Sequence, residues 1–491
     1  IFLIFERKFE VSAMVFSSML FVFLFLVLNL ITIRLCRTTK AQNIALLIFS
    51  LVFYGWGGPR FLLLLMGMVF ICWLGARLLD SAPNQKRRKL FLILTLVLSL
   101  GLLVFFKYTG FICENLQFLT GWPTVIPQIV LPIGISFYTF QLISYVIDVY
   151  RGEVRAQKKY WMLLLYAGLF HQCVAGPIIR YKDVNEEILH RRIRSSEISR
   201  GITRFCVGLA KKAVLANSCA ALADSLLPLN NLQALQTTPS AGLLLGGLCY
   251  MFQIYLDFSA YSDMAIGMGL MSGFHYKENF NYPYISDSVT EFWRRWHISL
   301  SSFFRDYVYI PLGGNRRGLP RQIFNLFVVW LLTGVWHGAS WNYILWGLYF
   351  FVFLVLEKLF WLKSPLHRCK PVNHILLLVV VYFSWLLFRF TDLGMLGTAL
   401  QGIFGATGAG FTSPAVGLNW LNNCFFLIFC AIACTPLGRY LHRLLQYQGT
   451  RHPVIAKGLA VFDVLLPVGL LVLSAMALVG DSYNPFLYFQ F

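Results

Sequence analysis

The chain has 491 residues, of which 58% are hydrophobic, 16% aromatic and only 13% charged. Soluble proteins carry about 25% charged residues, so this composition excludes a soluble, secreted, fibrous or disordered protein and indicates an integral membrane protein. The formal net charge is +20, which in a soluble protein would suggest a nucleic-acid partner. In a membrane protein the same excess reports topology and an anionic leaflet. We therefore expect membrane lipids, and no nucleic acid, among the partners.

Apolar stretches of about 20 residues recur along the chain and predict transmembrane helices. Residues 1–13 precede Met14, which is typical of a natural start. We therefore treat 1–13 as an N-terminal extension without an assigned role and 14–491 as one integral-membrane domain. The predicted spans are 14–35, 44–58, 61–79, 90–106, 131–150, 213–227, 242–271, 343–360, 374–390, 421–434 and 461–479.

Two further apolar stretches, 161–177 and 323–336, are interrupted or short. The second has room for only about 21 Å of helix in a hydrocarbon core about 30 Å thick. Such pieces favour re-entrant helices over complete crossings.

Basic residues gather in alternate loops, which predicts the orientation of the chain. The loops 114–128, 230–242 and 391–420 contain no Lys or Arg, whereas 294–321 is rich in both. By the positive-inside rule the first three are external and the last is cytoplasmic. The eleven cysteines show no CxxC pair, so neither a metal site nor a disulfide framework is predicted.

Two carboxylates interrupt the apolar stretch that follows Gln253. Asp257 and Asp263 stand among residues that otherwise suit the membrane, where a buried charge is costly and needs a partner. We interpret them as groups that bridge helices or bind a structural Arg, and not as catalytic residues.

The next region interleaves aromatic and basic residues. At helical spacing Trp293, Trp296, Leu300 and Phe304 fall on one stripe, which predicts a helix at the cytoplasmic interface. Arg294 and Arg295 either meet lipid phosphates or bind the phosphates of a nucleotide-bearing donor such as coenzyme A. These two residues alone leave both readings open.

A second aromatic motif places a histidine at membrane depth. His337 follows Trp336 and precedes Gly338 at the end of a short apolar segment, and an ionisable residue in that position is a functional-site hypothesis. Its neutral imidazole can take a proton from a hydroxyl nucleophile; the alternative is a core histidine bonded to a neighbouring hydroxyl. Another histidine, His171, either lines the same cavity as His337 or makes a structural hydrogen bond, and the structural bond is favoured.

The sequence contains no HExxH, G-x-S-x-G or G-x-x-x-x-G-K motif. This argues against a zinc hydrolase, an α/β-hydrolase and a P-loop pump.

At these motifs the chain resembles the membrane-bound O-acyltransferase (MBOAT) family, and within it the bacterial branch that O-acetylates alginate. The resemblance covers nearly the whole chain from Met14. It rests on Phe292-Trp-Arg-Arg-Trp-His, on Gly334-Val-Trp-His-Gly-Ala-Ser, and on the blocks 14–18, 131–140, 174–178, 253–268, 278–318 and 482–489.

The resemblance implies an all-α polytopic membrane protein, with a ring of about 11 transmembrane helices and short re-entrant helices around a central funnel. The family's essential histidine corresponds to His337, and its second histidine to His297. We expect both to be catalytic, and Arg294 and Arg295 to bind the acyl donor. Acetyl-CoA is the expected donor, with no tightly bound cofactor and no metal.

The expected activity is transfer of an acetyl group from a cytoplasmic thioester across the membrane, for O-acetylation of an extracellular polysaccharide such as alginate. The expected partners are an extracytoplasmic acetyltransferase protein and the polysaccharide acceptor, and the expected location is the bacterial inner (cytoplasmic) membrane. Two alternatives stay open: D-alanyl or other acyl transfer to a cell-wall polymer by the same fold, and a transporter or channel without chemistry.

Overall fold

The computed structural model describes residues 14–121, 126–127, 129–173 and 176–480, and these are helical without a single strand. The all-α prediction is therefore confirmed for this part of the chain. The extension 1–13 and the block 482–489 lie outside the described residues, as do residues 174 and 175.

The chain clusters into two compact units, one formed by Ile1–Phe205 with Tyr261–Lys277 and the other by Cys206–Ala260 with Glu278–Phe491. The prediction of one integral domain over 14–491 stays a prediction. The helices of the first unit are α1 (Phe21–Leu35), α2 (Thr39–Trp56), α3 (Pro59–Ser81), α4 (Gln85–Thr120), α5 (Ile135–Arg151), α6 (Tyr160–Gly168), α7 (Phe170–Cys173) and α8 (Tyr181–His190).

Two long helices, α9 (Ser195–Leu226) and α11 (Ser240–Met271), contribute residues to both units. The second unit contains most of α9 and α11 and all later helices. These are α10 (Leu232–Thr237), α12 (Val289–Arg295), α13 (Ile298–Phe304), α14 (Leu319–His337), α15 (Trp341–Leu359), α16 (Lys370–Arg389), α17 (Leu393–Ile403), α18 (Pro414–Ala433), α19 (Leu437–Gly449) and α20 (Pro453–Gly480).

Helix starts follow from short polar residues and prolines. Thr38 and Asn84 accept hydrogen bonds from backbone N–H groups in the first turns of α2 and α4, at 3.2 and 2.9 Å. Such caps satisfy donors that have no partner inside the helix. Proline stands in the first turn of α3, α14, α16 and α18, where its missing N–H is not needed.

Nine helices within the described residues are long and apolar enough to cross a membrane, namely α3, α4, α9, α11, α14, α15, α16, α18 and α20. The predicted spans 14–35, 44–58 and 131–150 are helical but are not among them. The multi-pass membrane character is confirmed, whereas the count of about 11 and the ring around a funnel stay predictions.

The stretch 323–336 was predicted to be too short to cross the membrane, but the helix that contains it is longer. The helix begins at Leu319 and has 19 residues, which corresponds to about 28 Å. The hydropathy window missed its polar first turn, where Pro320, Arg321 and Gln322 follow Leu319. The other short stretch, 161–177, is interrupted as expected, because α6 ends at Gly168 and α7 spans only four residues.

Each unit has its own aromatic core. In the first unit Phe16, Phe21, Phe25, Phe53 and Phe170 form a chain of ring contacts. In the second unit the tryptophans Trp293, Trp330, Trp346 and Trp385 all belong to one buried cluster. This second core surrounds the two histidines selected from the sequence.

Candidate active site

The region predicted as one interfacial helix is two short helices with a sharp break between them. Helix α12 ends at Arg295 and α13 begins at Ile298, with His297 in the left-handed conformation at φ 44° and ψ 54°. Non-glycine residues rarely adopt this conformation. The prediction of a continuous helix was wrong here, because a 3.6-residue aromatic stripe does not report the backbone angle of one residue.

The four residues of the predicted stripe, Trp293, Trp296, Leu300 and Phe304, are all buried. Trp293 packs edge-on against Trp330 at a centroid distance of 4.7 Å, and Trp296 lies 4.8 Å from Trp385. The stripe therefore belongs to the protein core. Its side chains fix α12 and the break against the helices that follow in the chain.

A buried carboxylate anchors the start of α12. Glu357, from the last turn of α15, accepts hydrogen bonds from the N–H groups of Val289 (2.6 Å) and Thr290 (3.2 Å). Ser288 caps the same end by accepting from Glu291 N–H at 3.1 Å. Negative charge at a helix N-terminus is stabilising, so this contact holds the helix that carries Arg294 and Arg295.

The two predicted donor-binding arginines have different surroundings. Arg295 is half-buried and bonds to Glu291 through Nε (2.9 Å) and Nη2 (2.7 Å), and its Nη1 donates to Asn281 O at 3.3 Å. Arg294, the preceding residue, is exposed. Their role toward a donor stays a prediction, and Arg294 is the one whose guanidinium faces outward.

His297 is almost completely buried, with 1% of its surface exposed. Its Nδ1 lies 3.2 Å from Asn279 Oδ1, and its ring packs against Phe258 at 4.7 Å and Trp336 at 6.0 Å between centroids. Nε2 is buried and has no hydrogen-bond partner within the described part of the chain. Burial lowers the pKa of His297 to about 3, so the imidazole is neutral at neutral pH.

His337 is the last residue of α14 and is 7% exposed. Its ring contacts Trp336, Trp346 and Phe388 at centroid distances of 5.0, 4.9 and 5.3 Å. Trp336 thus touches both histidines. The structure brings the predicted pair His297 and His337 to one aromatic shell, although their catalytic role stays a prediction.

Glycines allow the close helix packing that shapes this shell. A Cβ on Gly338 would lie 2.2 Å from a ring carbon of Tyr343, and one on Gly347 would lie 2.3 Å from Trp330 O. Small residues of this kind let membrane helices approach each other closely. The Tyr343 ring occupies the space that a side chain at position 338 would need.

The carboxylates of α11 have basic partners on α9, as the bridging interpretation proposed. Asp257 pairs with Lys212 at 2.9 Å in the second unit, and both side chains are buried. Asp263 pairs with Arg204 at 2.6 Å in the first unit. The partners themselves were missed, since nothing local in the sequence connects residues about 50 positions apart.

His171 lies in the first unit and has a different environment. Its Nδ1 is 3.3 Å from Tyr276 Oη and its Nε2 is 3.5 Å from Ser272 Oγ. Both ring nitrogens therefore face hydroxyl groups, which agrees with the favoured structural interpretation.

Groups of three or more residues able to hold a metal ion do not occur in the ranges that the structure describes.

Comparison with known proteins identifies the family. Residues 158–399 match the family described as MBOAT, membrane-bound O-acyltransferase family. The protein named "Probable alginate O-acetylase AlgI" from Pseudomonas aeruginosa is 38% identical over 97% of this chain and 100% of its own length. The chain belongs to the membrane-bound O-acyltransferase family, and it is a multi-pass membrane acyltransferase.

Two further relatives show the range of reactions in the family. A peptidoglycan O-acetyltransferase from Helicobacter pylori is 32% identical over 81% of both chains. A teichoic acid D-alanyltransferase from Bacillus subtilis is 28% identical over 52% of this chain and 67% of its own length. The alternative of a transporter without chemistry has no support among these relatives.

Proposed function

We propose that this protein moves an acetyl group from a cytoplasmic thioester donor, most simply acetyl-CoA, across the membrane for O-acetylation of an extracellular polysaccharide such as alginate. Two observations support acetyl over other acyl groups. The relatives that cover 81% or more of the chain at 32–38% identity carry names of O-acetylating proteins. The teichoic acid D-alanyltransferase from Bacillus subtilis matches only 52% of this chain.

The observation that carries the proposal is the pair of buried histidines on one aromatic shell. Trp336 contacts both rings, and His337 is further enclosed by Trp346 and Phe388. Such a shell excludes water, which would otherwise hydrolyse the thioester. An imidazole in it is available as a proton acceptor for the acceptor hydroxyl.

In the proposed reaction His337 takes the proton from the acceptor hydroxyl, and the oxygen of that hydroxyl attacks the thioester carbonyl carbon. The new C–O bond forms, the C–S bond breaks, and the imidazolium returns the proton to the leaving thiolate. No external oxidant or reductant is needed. His297 contributes a second neutral imidazole to the same shell.

The donor is proposed to approach from the cytoplasmic side, where the positive-inside rule places 294–321. Arg294 is exposed there and can pair with a donor phosphate, whereas Arg295 already bonds to Glu291. A planar guanidinium suits phosphate because it forms two parallel hydrogen bonds.

The acceptor is proposed to approach from the external side, in the inner membrane of a bacterium. An extracytoplasmic acetyltransferase protein would then carry the acetyl group to the polymer. Deleting the gene and measuring which extracellular polymer loses O-acetyl groups tests this assignment, and unchanged acetylation of every polymer contradicts it.

The direct test is transfer of labelled acetyl from acetyl-CoA in proteoliposomes that contain the extracytoplasmic partner and polymer. Wild type and His452→Ala, whose side chain is exposed, should transfer label, and His337→Ala should not. Transfer by His337→Ala at the wild-type rate would refute the proposed base. Label that moves only from a D-alanyl carrier protein would instead support the D-alanyl alternative.

A further inference from the structure

The side chain of Asn279 contacts three groups at the break between α12 and α13. Its Oδ1 accepts from Ser299 N–H at 3.2 Å and from Ser299 Oγ–H at 2.8 Å, and it lies 3.2 Å from His297 Nδ1. A backbone N–H can only donate, so the atom at this position is the amide oxygen and not the amide nitrogen.

This assignment fixes the tautomer of His297. An amide oxygen only accepts, so the contact with His297 Nδ1 requires a hydrogen on Nδ1. In a neutral imidazole the other nitrogen then carries the lone pair. That nitrogen is Nε2, which is buried and has no hydrogen-bond partner among the residues that the structure describes.

Backbone hydrogen bonds of Asn279 and Asn281 hold the chain on both sides of His297. Asn279 O accepts from Ile298 N–H at 2.9 Å, and Asn281 N–H donates to Arg295 O at 2.9 Å. These two bonds bracket His297, which has the left-handed backbone conformation. Such a conformation persists only where surrounding contacts determine it.

Ser299 Oγ, whose hydrogen goes to Asn279 Oδ1, also lies 3.4 Å from His297 Nδ1, and aromatic side chains pack against the rest of the ring. Phe258, Phe280 and Trp336 pack against it at centroid distances of 4.7, 6.3 and 6.0 Å. None of these three side chains is ionised at neutral pH, and neither is that of Asn279 or Ser299. The hydrogen bond to Asn279 Oδ1 therefore places the proton on Nδ1 without a charged group among these contacts.

We propose that Asn279 is a positioning residue for acyl transfer: it holds His297 as the Nδ1–H tautomer, so that Nε2 is presented to the aromatic shell as a hydrogen-bond acceptor for an N–H or O–H of the substrate. This inference rests on the proposed function for the substrate's identity. The tautomer itself does not depend on it, and can be measured without any reaction.

The first test is the ring-nitrogen NMR spectrum of protein labelled with ¹⁵N-histidine in lipid bilayers, with the His297 signals identified by comparison with His297→Gln. We expect a protonated Nδ1 and an unprotonated Nε2 at neutral pH, and redistribution toward the Nε2–H tautomer in Asn279→Leu. A wild-type His297 that is protonated on Nε2, or a tautomer unaffected by Asn279→Leu, overturns the proposal.

The second test uses Asn279→Asp, which keeps the shape of the side chain and an oxygen for all three contacts of Oδ1. The introduced carboxylate stabilises the imidazolium and should raise the pKa of His297. The acid limb of the acetyl-transfer profile should therefore move up by about one pH unit or more, with activity within a few-fold of wild type at about pH 8. A purely structural role for Asn279 predicts no movement of the limb and would be the conclusion if none is seen.

Asn279→Leu should lower acetyl transfer about tenfold or more at every pH, because a wrong histidine tautomer removes the acceptor. Asn373→Leu is the matched comparison. Asn373 is also buried and bonds to Trp361 and His367, so its loss should perturb folding without touching His297. An unchanged His297 tautomer in Asn373→Leu, beside a changed one in Asn279→Leu, separates positioning from general destabilisation.

Failure of the proposed function is distinguishable from failure of this inference. If labelled acetyl does not transfer but the NMR result holds, Asn279 still sets the tautomer and the reaction has been misassigned. If acetyl transfers but the tautomer is Nε2–H, the reaction stands and the role of Asn279 is wrong.

Discussion

Two buried histidines with similar exposure have opposite hydrogen-bonding states. His171, in the first unit, faces Tyr276 and Ser272 with its two ring nitrogens. His297, in the second unit, is held by Asn279 at one nitrogen and leaves the other buried without a partner among the described residues. Burial alone therefore does not distinguish the two histidines. They differ in that the desolvation of His297 Nε2 is not offset by a hydrogen bond within the described part of the fold.

The largest expected effect separates these two residues by activity. His297→Gln should lower acetyl transfer by about 10²–10³-fold, the usual cost of removing one hydrogen bond to the reacting groups, with little change in thermal stability. His171→Gln should lower stability by about 1–3 kcal/mol, because it disturbs two buried hydroxyl partners, and should leave the rate per folded molecule close to wild type. Transfer rates normalised to folded protein check both.

Equal loss of activity in the two variants would contradict this difference between His297 and His171. A matched loss would mean that His171 also serves the reaction, and that the hydroxyl partners of its nitrogens are part of the chemistry. Thermal unfolding in the same detergent provides the control, since a common folding defect would lower both melting temperatures.

The next largest effect contrasts the two ion pairs of α9 and α11. Lys212 and Asp257 are 3% and 2% exposed, whereas Arg204 and Asp263 are 22% and 10% exposed. Removing one partner of a fully buried pair leaves an uncompensated charge and costs about 3–5 kcal/mol. Lys212→Met should therefore destabilise strongly and Arg204→Met by less.

Unfolding free energies of both variants in detergent test this ranking. The double variant Lys212→Met with Asp257→Leu should recover much of the loss, because it removes both charges. Equal destabilisation by Lys212→Met and Arg204→Met would show that burial does not control the strength of these pairs.

The sequence predicted a large part of this fold and less of the site. The apolar helices were predictable because their length and composition are set by the bilayer, and the need of Asp257 and Asp263 for partners followed from the cost of a charge in lipid. His337 and His297 were found through their Trp-rich motifs. The break at His297, the contact with Asn279 and the cap from Glu357 were not predicted, since each depends on residues brought together only by folding.

A smaller effect concerns pH, in which the two histidines should behave alike. Burial, with a contribution from Arg191 for His171, lowers the pKa of each to about 3, below the value of about 6.5 in an unfolded chain. The unfolded state therefore binds more protons below about pH 6.5, and stability falls as the pH decreases. Each histidine should contribute about 1.4 kcal/mol per pH unit in that range.

Melting temperatures of wild type, His171→Gln and His297→Gln between about pH 7.5 and pH 5 measure these contributions. In each variant the melting temperature should fall less steeply with decreasing pH than in wild type, because one of the two histidines is absent. A histidine whose removal leaves the slope intact is already protonated in the fold. His275 is a control of opposite sign: partial burial lowers its pKa, but the hydrogen bonds that its ring donates to Glu187 and Glu197 outweigh this and raise the pKa, so its contribution is lost as the pH rises.

The smallest expected effect distinguishes the two arginines of α12. Arg294 is exposed and should contribute one charge-assisted contact to a donor phosphate, so Arg294→Gln should raise the KM for acetyl-CoA by about three- to tenfold with kcat and stability nearly unchanged. Arg295 bonds to Glu291 and Asn281 O, so Arg295→Gln should change stability by up to about 1 kcal/mol and affect KM less. Steady-state kinetics in proteoliposomes at two salt concentrations measure this, since an exposed phosphate contact weakens as salt rises. If Arg295→Gln changes the KM and Arg294→Gln does not, the donor contact is made by Arg295 and not by Arg294.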